Sequence, residues 1–144
     1  MLDILMCVVT PDYLFEGQLN LTSLFTNSLH WIARESLLQM NCKEIEVIEG
    51  TDADPELLND LIIRWLAGGL ENLELITMNP FNEDEEAVIM DDIDTVRFDP
   101  RRHQGEFRGE DVSDGFYIVR DSDGMVATIS NNFEDGDFKW IIWR

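Results

Sequence analysis

Asp54-Pro55-Glu56-Leu57-Leu58-Asn59-Asp60-Leu61-Ile62-Ile63-Arg64-Trp65-Leu66-Ala67-Gly68-Gly69 decides the reading of this chain. Leu57, Leu58, Leu61, Ile62, Trp65 and Leu66 recur at the spacing of a helix with one broad apolar stripe. Asp52 or Asp54 supplies the N-cap, and Pro55 stands where its missing amide costs nothing. Gly68-Gly69 stops the helix. Burying six such side chains offers roughly 9–18 kcal/mol of transfer free energy before chain entropy is subtracted.

Strand signals flank this helix. Upstream, Cys42-Lys43-Glu44-Ile45-Glu46-Val47-Ile48 alternates Ile45 and Val47 with Glu44 and Glu46, the period of a strand with one wet face, and Gly50 closes it. Downstream, Leu73, Leu75 and Thr77 alternate as the next strand. A second helix is predicted from about Asn27 to Met40, capped by Asn27 or Ser28 and ended by Asn41. Leu29, Ile32, Ala33, Leu37 and Met40 form its apolar face. Residues 2–9 read as a buried strand, and Pro11 and Gly17 bracket a loop. Leu19, Leu21, Leu24 and Phe25 make a short apolar patch with no decided type.

Beyond Asn79-Pro80, the acids Glu83, Asp84, Glu85 and Glu86 fall where a third helix begins and complement its positive end. Thr95-Val96-Arg97-Phe98 reads as a short strand, and residues 99–111 read as a long polar loop. Gly115–Arg120 and Met125–Ile129 form a hairpin around the turn Asp121-Ser122-Asp123-Gly124. Phe138–Trp143 is a closing strand that sets Trp140 and Trp143 on opposite faces.

The expected fold class is therefore α/β (α+β). Stretches 27–48 and 51–78 act as leucine-rich-repeat-like strand–helix units, recurring at about 32 residues, followed by a C-terminal antiparallel hairpin and a closing strand. One domain over residues 1–144 accommodates all of it.

Thirty acids face ten bases, for a net charge of −20. Nucleic acid is excluded as a partner, because its binding depends on Lys and Arg neutralising phosphates. Anionic membrane surfaces are disfavoured for the same reason. Basic protein partners are favoured through encounter rate, although such acidity also serves solubility alone. No apolar run approaches a membrane span, and no signal peptide is read. Cys7 and Cys42 form no CxxC pair, which fits an intracellular compartment, cytoplasmic or nuclear.

Reaction chemistry finds little support. His30 and His103 are isolated from one another and from any Cys cluster. The turn at Asp121 fails as a calcium loop, because Gly124 follows Asp123 directly and Met125 takes the fifth position. Cys42 has no predicted His partner and reads as a small core residue. No catalytic residue, metal site or cofactor is expected. The competing reading is a small metal-dependent enzyme built on Glu83–Glu86. Four exposed acids at a helix start are usually a solvated face. Candidate partner contacts are Arg101 and Arg102 in the polar loop and the aromatics Tyr117 and Trp143, with core packing as the competing reading for each aromatic.

Three stretches, in order, resemble a known family. They are Leu38-Gln39-Met40-Asn41-Cys42-Lys43 with the strand through Val47, the helix Leu58–Gly69 with Leu73-Glu74-Leu75 after it, and the hairpin from Asp114 to Ile129. Together, over roughly residues 35–130, they resemble the nematode F-box-associated domain (type 2). The resemblance implies protein binding, with the associated domain facing the substrate of a Skp1–cullin–F-box ubiquitin ligase. In that plan an N-terminal F-box docks on Skp1. The first 35 residues carry no recognisable F-box, so Skp1 docking is not expected of these residues. A fragment and a free-standing decoy or scaffold domain, including one that pairs with copies of itself, stay open.

Overall fold

The computed structural model describes residues 4–7, 14–47, 54–132 and 136–143. Pro11, Gly50, Asp52 and the ends of the expected strand 2–9 lie outside the described residues. In chain order the elements are β1 (Ile4–Cys7), β2 (Asn20–Thr26), α1 (Arg34–Leu38), β3 (Asn41–Val47), α2 (Pro55–Leu66), β4 (Leu75–Met78) and α3 (Glu83–Ile89). They continue as β5 (Glu106–Phe107), β6 (Glu110–Asp111), β7 (Phe116–Val119), β8 (Val126–Asn131) and β9 (Phe138–Ile142).

One sheet runs β1-β2-β3-β4-β9-β8-β7, and β5 and β6 pair apart from it. The first four strands are parallel, each laid beside its predecessor, while β9, β8 and β7 are antiparallel. This is the expected α+β arrangement, with leucine-rich-repeat-like winding first and an antiparallel closure last. The units are uneven, because the strands start at Asn20, Asn41 and Leu75. The single 32-residue period does not hold.

Helix α2 forms as its sequence dictates. The Asp54 carboxylate accepts from the Leu57 amide, Pro55 opens the first turn, and Gly68 leaves it at φ 100°. Leu57, Leu58, Leu61, Ile62 and Trp65 are buried. They pack on one face of the sheet, where Leu24, Ile45, Ile76, Trp140 and Ile129 lie in register across β2, β3, β4, β9 and β8. Trp65 meets Trp140 edge-on with ring centroids 6.3 Å apart. Helix α3 carries a full capping box, since Asn82 and Glu85 each accept from the other's amide.

The opposite face is divided. Leu75 and Ile141 join Val112 in a second, smaller core, with Phe107 and Trp143 against it. Thus the start of β4, the end of β9 and β8 are sandwiched between the helices and the segment carrying β5 and β6. Further along the same face, Glu46 on β3 is exposed and Phe25, Glu44 and Thr77 are half-buried.

Three expectations are corrected, and one undecided stretch takes a type. The helix predicted over 27–40 is only Arg34–Leu38. Thr26 Oγ1 donates to the Ser28 carbonyl, and Ser28 Oγ accepts from the His30 amide, so these side chains bind the local backbone instead of capping a helix. The backbone at 31–33 pairs with Phe15, through Phe15 N–H to Trp31 O (2.5 Å) and Ala33 N–H to Phe15 O (2.8 Å). The undecided patch at Leu19–Phe25 is strand β2. Residues 95–98 hold one isolated bridge, Val96 with Tyr117, and no strand. The loop 99–111 contains the hairpin β5–β6, whose turn residues Arg108 (φ 51°) and Gly109 (φ 84°) have the positive φ pair of a tight two-residue turn.

Candidate functional site

The groups with chemical potential stand apart. Cys42 is buried, its Sγ lies 3.9 Å from the Leu19 carbonyl, and burial pushes its thiol pKa up. A protonated, enclosed thiol is a poor nucleophile. Glu83 and Asp84 are exposed on the first turn of α3, Glu85 closes the capping box, and Glu86 accepts from Asn131 Nδ2 at 2.8 Å. These four acids answer the helix start and a neighbouring strand, and they do not converge on a point. Among the described residues no group of three His, Cys, Asp or Glu side chains is placed to hold a metal ion. His103 Nδ1 accepts from the Asp99 amide at 2.9 Å, and its ring stacks on Tyr117 with centroids 5.1 Å apart. His103 thus braces the loop and is not simply solvated.

The structure brings Arg102 and Trp143 together. They line a groove of about 370 Å³ with Gln104, Asp123 and Met125. Trp143 follows β9 and projects to the side of the sheet away from Trp140, as the strand period requires. Its indole N–H donates to Thr128 Oγ1 at 2.8 Å, and its ring meets Phe107 edge-on at 5.8 Å. Half-buried and held at two points, it presents a fixed aromatic edge to the groove. Arg102 is exposed, with its Nε 3.8 Å from an Asp99 oxygen. Arg101 is exposed beside it but does not line the groove.

Tyr117 is misplaced by the sequence. It is fully buried, not an exposed aromatic, and its hydroxyl donates to the Gln104 carbonyl at 2.5 Å. Burial pushes its phenol pKa up. The Phe98, His103 and Tyr117 rings pack together, with Phe98 5.1 Å from Tyr117. Tyr117 therefore anchors the loop that carries Arg101 and Arg102 and offers no contact of its own.

Arg120 is the residue sequence reasoning missed. Buried at the end of β7, it donates to both carboxylate oxygens of Asp123, at 3.1 and 2.6 Å. Its guanidinium lies 4.8 Å from the centroid of the Trp65 ring, and Nη1 donates to the Trp65 carbonyl at 3.4 Å. The Arg120 side chain lowers the Asp123 pKa to about 2. One local signal existed, an Arg three residues before an Asp across a turn, but the Trp65 contact is remote in sequence. This clamp fixes one wall of the groove to the end of α2.

A second groove, of about 400 Å³, lies on the other side of the β5–β6 hairpin. Phe25, Glu44, Glu46 and Thr77 form its floor, with Phe107, Arg108 and Lys139 at its side. Phe107 takes part in both features, since its ring also abuts Trp143.

Residues 17–78 match the family model described as F-box associated. The matched residues run from the segment before β2 to the end of β4, the parallel, helix-wound part of the sheet. They contain two of the three stretches that carry the resemblance, and the hairpin at 114–129 lies outside them. No curated protein and no solved structure matches the chain. Among the described residues, no helix is long and apolar enough to cross a membrane.

Proposed function

We propose that this chain is a protein–protein interaction module of the substrate-recognition type found in F-box proteins of ubiquitin ligases, and that it holds its partner in the groove between Arg102 and Trp143. The F-box-associated match at residues 17–78 carries the reading, because that kind of domain points to protein partners. The groove supplies a place. Trp and Arg dominate contact energetics, and a Trp already fixed by Thr128 and Phe107 loses little freedom on binding. Residues 1–144 act as one domain in this reading, within the cytoplasm or nucleus.

Partner capture from cell extract, followed by mass spectrometry, tests the proposal. The Arg102→Ala/Trp143→Ala double variant is expected to lose the specifically captured proteins while keeping its circular dichroism spectrum and melting midpoint within a few degrees. Unchanged capture by a folded double variant would remove this groove from the proposal. Capture no richer than that of a charge-matched, scrambled control would remove the module itself.

A further inference from the structure

We infer that the open part of the sheet face is a second docking surface, shaped for an extended, Lys/Arg-rich segment of a partner protein. Phe25, Glu46, Thr77 and Lys139 lie in register across β2, β3, β4 and β9. They form one row on the face that the β5–β6 hairpin leaves uncovered. Glu44 and Glu46 stand two residues apart on β3, so both side chains project to this face. Two such positions are about 6.6–6.8 Å apart along a strand. An extended partner segment presents every second side chain at that same interval, so one basic residue meets Glu46 while the next on that side joins Arg108 at Glu44.

The chain itself displays half of the interaction. Arg108, at the hairpin tip, lies with its guanidinium 4.9 Å from the Phe107 ring centroid and donates to Glu44 at 2.9 Å. An arginine held between an aromatic ring and a strand carboxylate is the arrangement a partner would repeat at Phe25 and Glu46. Lys139 contacts Glu110 at 2.6 Å and Asp137 at 3.9 Å. Four carboxylates thus face two cations around this groove. The remaining negative charge, on a chain of net charge −20, selects a cationic partner and speeds its arrival. The aliphatic stems of Lys or Arg have Phe25 and Thr77 to lie against. This surface shares Phe107 with the Arg102–Trp143 groove but is lined by neither Arg102 nor Trp143.

Fluorescence anisotropy with a labelled peptide of alternating Lys and Thr tests the inference at physiological salt. The expected result is binding by the wild type, weakened about tenfold or more by Glu46→Lys, which is about 1.4 kcal/mol. Glu83→Lys on α3 makes the same charge change elsewhere and is expected to weaken binding less than about threefold. The Arg102→Ala variant is expected to bind the peptide as the wild type does, which separates this surface from the one proposed above. Equal weakening by Glu46→Lys and Glu83→Lys would overturn the inference, since net charge alone would then explain the binding. Equal binding of an alternating Glu and Thr peptide would overturn it too. So would a dimer, seen by sedimentation, that Glu46→Lys dissociates, because a second copy would then be the occupant.

Discussion

The two parts of the sheet solve the same burial problem differently. Strands β2 to β4 are parallel and reach one another through helices, which cover the face where Leu24, Ile45 and Ile76 lie, while the other face is packed over at Leu75 and open at Glu46. Strands β7 to β9 are antiparallel and covered on both faces, by Trp140, Ile129 and Ala127 on the helix side and by Tyr117, Thr128 and Ile141 on the other. A strand buried on both sides contributes packing and has nothing left to show. A strand with one open face can hold a partner without losing its core. Stability therefore concentrates in the antiparallel part, and recognition has room in the parallel part and along the hairpin ridge between them.

The hardest test of this division is Trp140→Ala. Trp140 is wholly buried against Trp65, and its indole N–H has no acceptor among the described residues. Its removal strands no hydrogen-bond partner and leaves a cavity, so the loss should be about 3–5 kcal/mol in urea unfolding. A loss under about 1 kcal/mol would break the comparison. Tyr117→Phe sharpens it, because the ring stays and only the hydroxyl's bonds, to the Gln104 and Val112 carbonyls, go. About 1–2 kcal/mol should be lost, with the amides of residues 98–104 exchanging faster in hydrogen-exchange measurements. On the parallel side, Asp54→Ala removes the α2 cap and should cost about 1 kcal/mol by the same unfolding assay.

The Asp123 clamp gives a pH-dependent test of the hairpin. Its folded pKa of about 2 lies below the ordinary 3.8, so its contribution is whole above that ordinary value and disappears as pH falls through about 2. Asp123→Asn should flatten part of the decline in melting midpoint between those values, and an unchanged decline would detach the clamp from stability. Glu46→Gln should be the mildest change, under about 0.5 kcal/mol by urea unfolding, because an exposed side chain on an open face supports no core.

Much of the fold was legible where local chemistry and tertiary need agree. The apolar stripe of α2, its Asp54 and Gly68 ends, the Ile45 and Val47 alternation and the Gly124 turn all persist in the structure. Strand β2 hid because Leu21, Ser23 and Leu24 break the period of two. Helix α1 was overextended because Phe15 takes the backbone groups a longer helix needs, a contact remote in sequence. The β5–β6 hairpin escaped because two-residue strands carry no hydrophobic period, although Gly109 after Arg108 was visible. Arg101 and Arg102 are exposed and Trp143 is half-buried. Tyr117 is buried, because β7 is covered on its second face by a loop whose folding the sequence did not reveal.

The enclosure of Cys42 has a practical consequence. Cys42 is 1% exposed near the starts of β2 and β3, so an alkylating reagent can reach its sulfur only when that region separates. The rate of its modification, followed by mass spectrometry of the peptide that contains it, becomes a clock for opening of the parallel strands. A bound segment lying across those strands would slow that clock without touching the thiol.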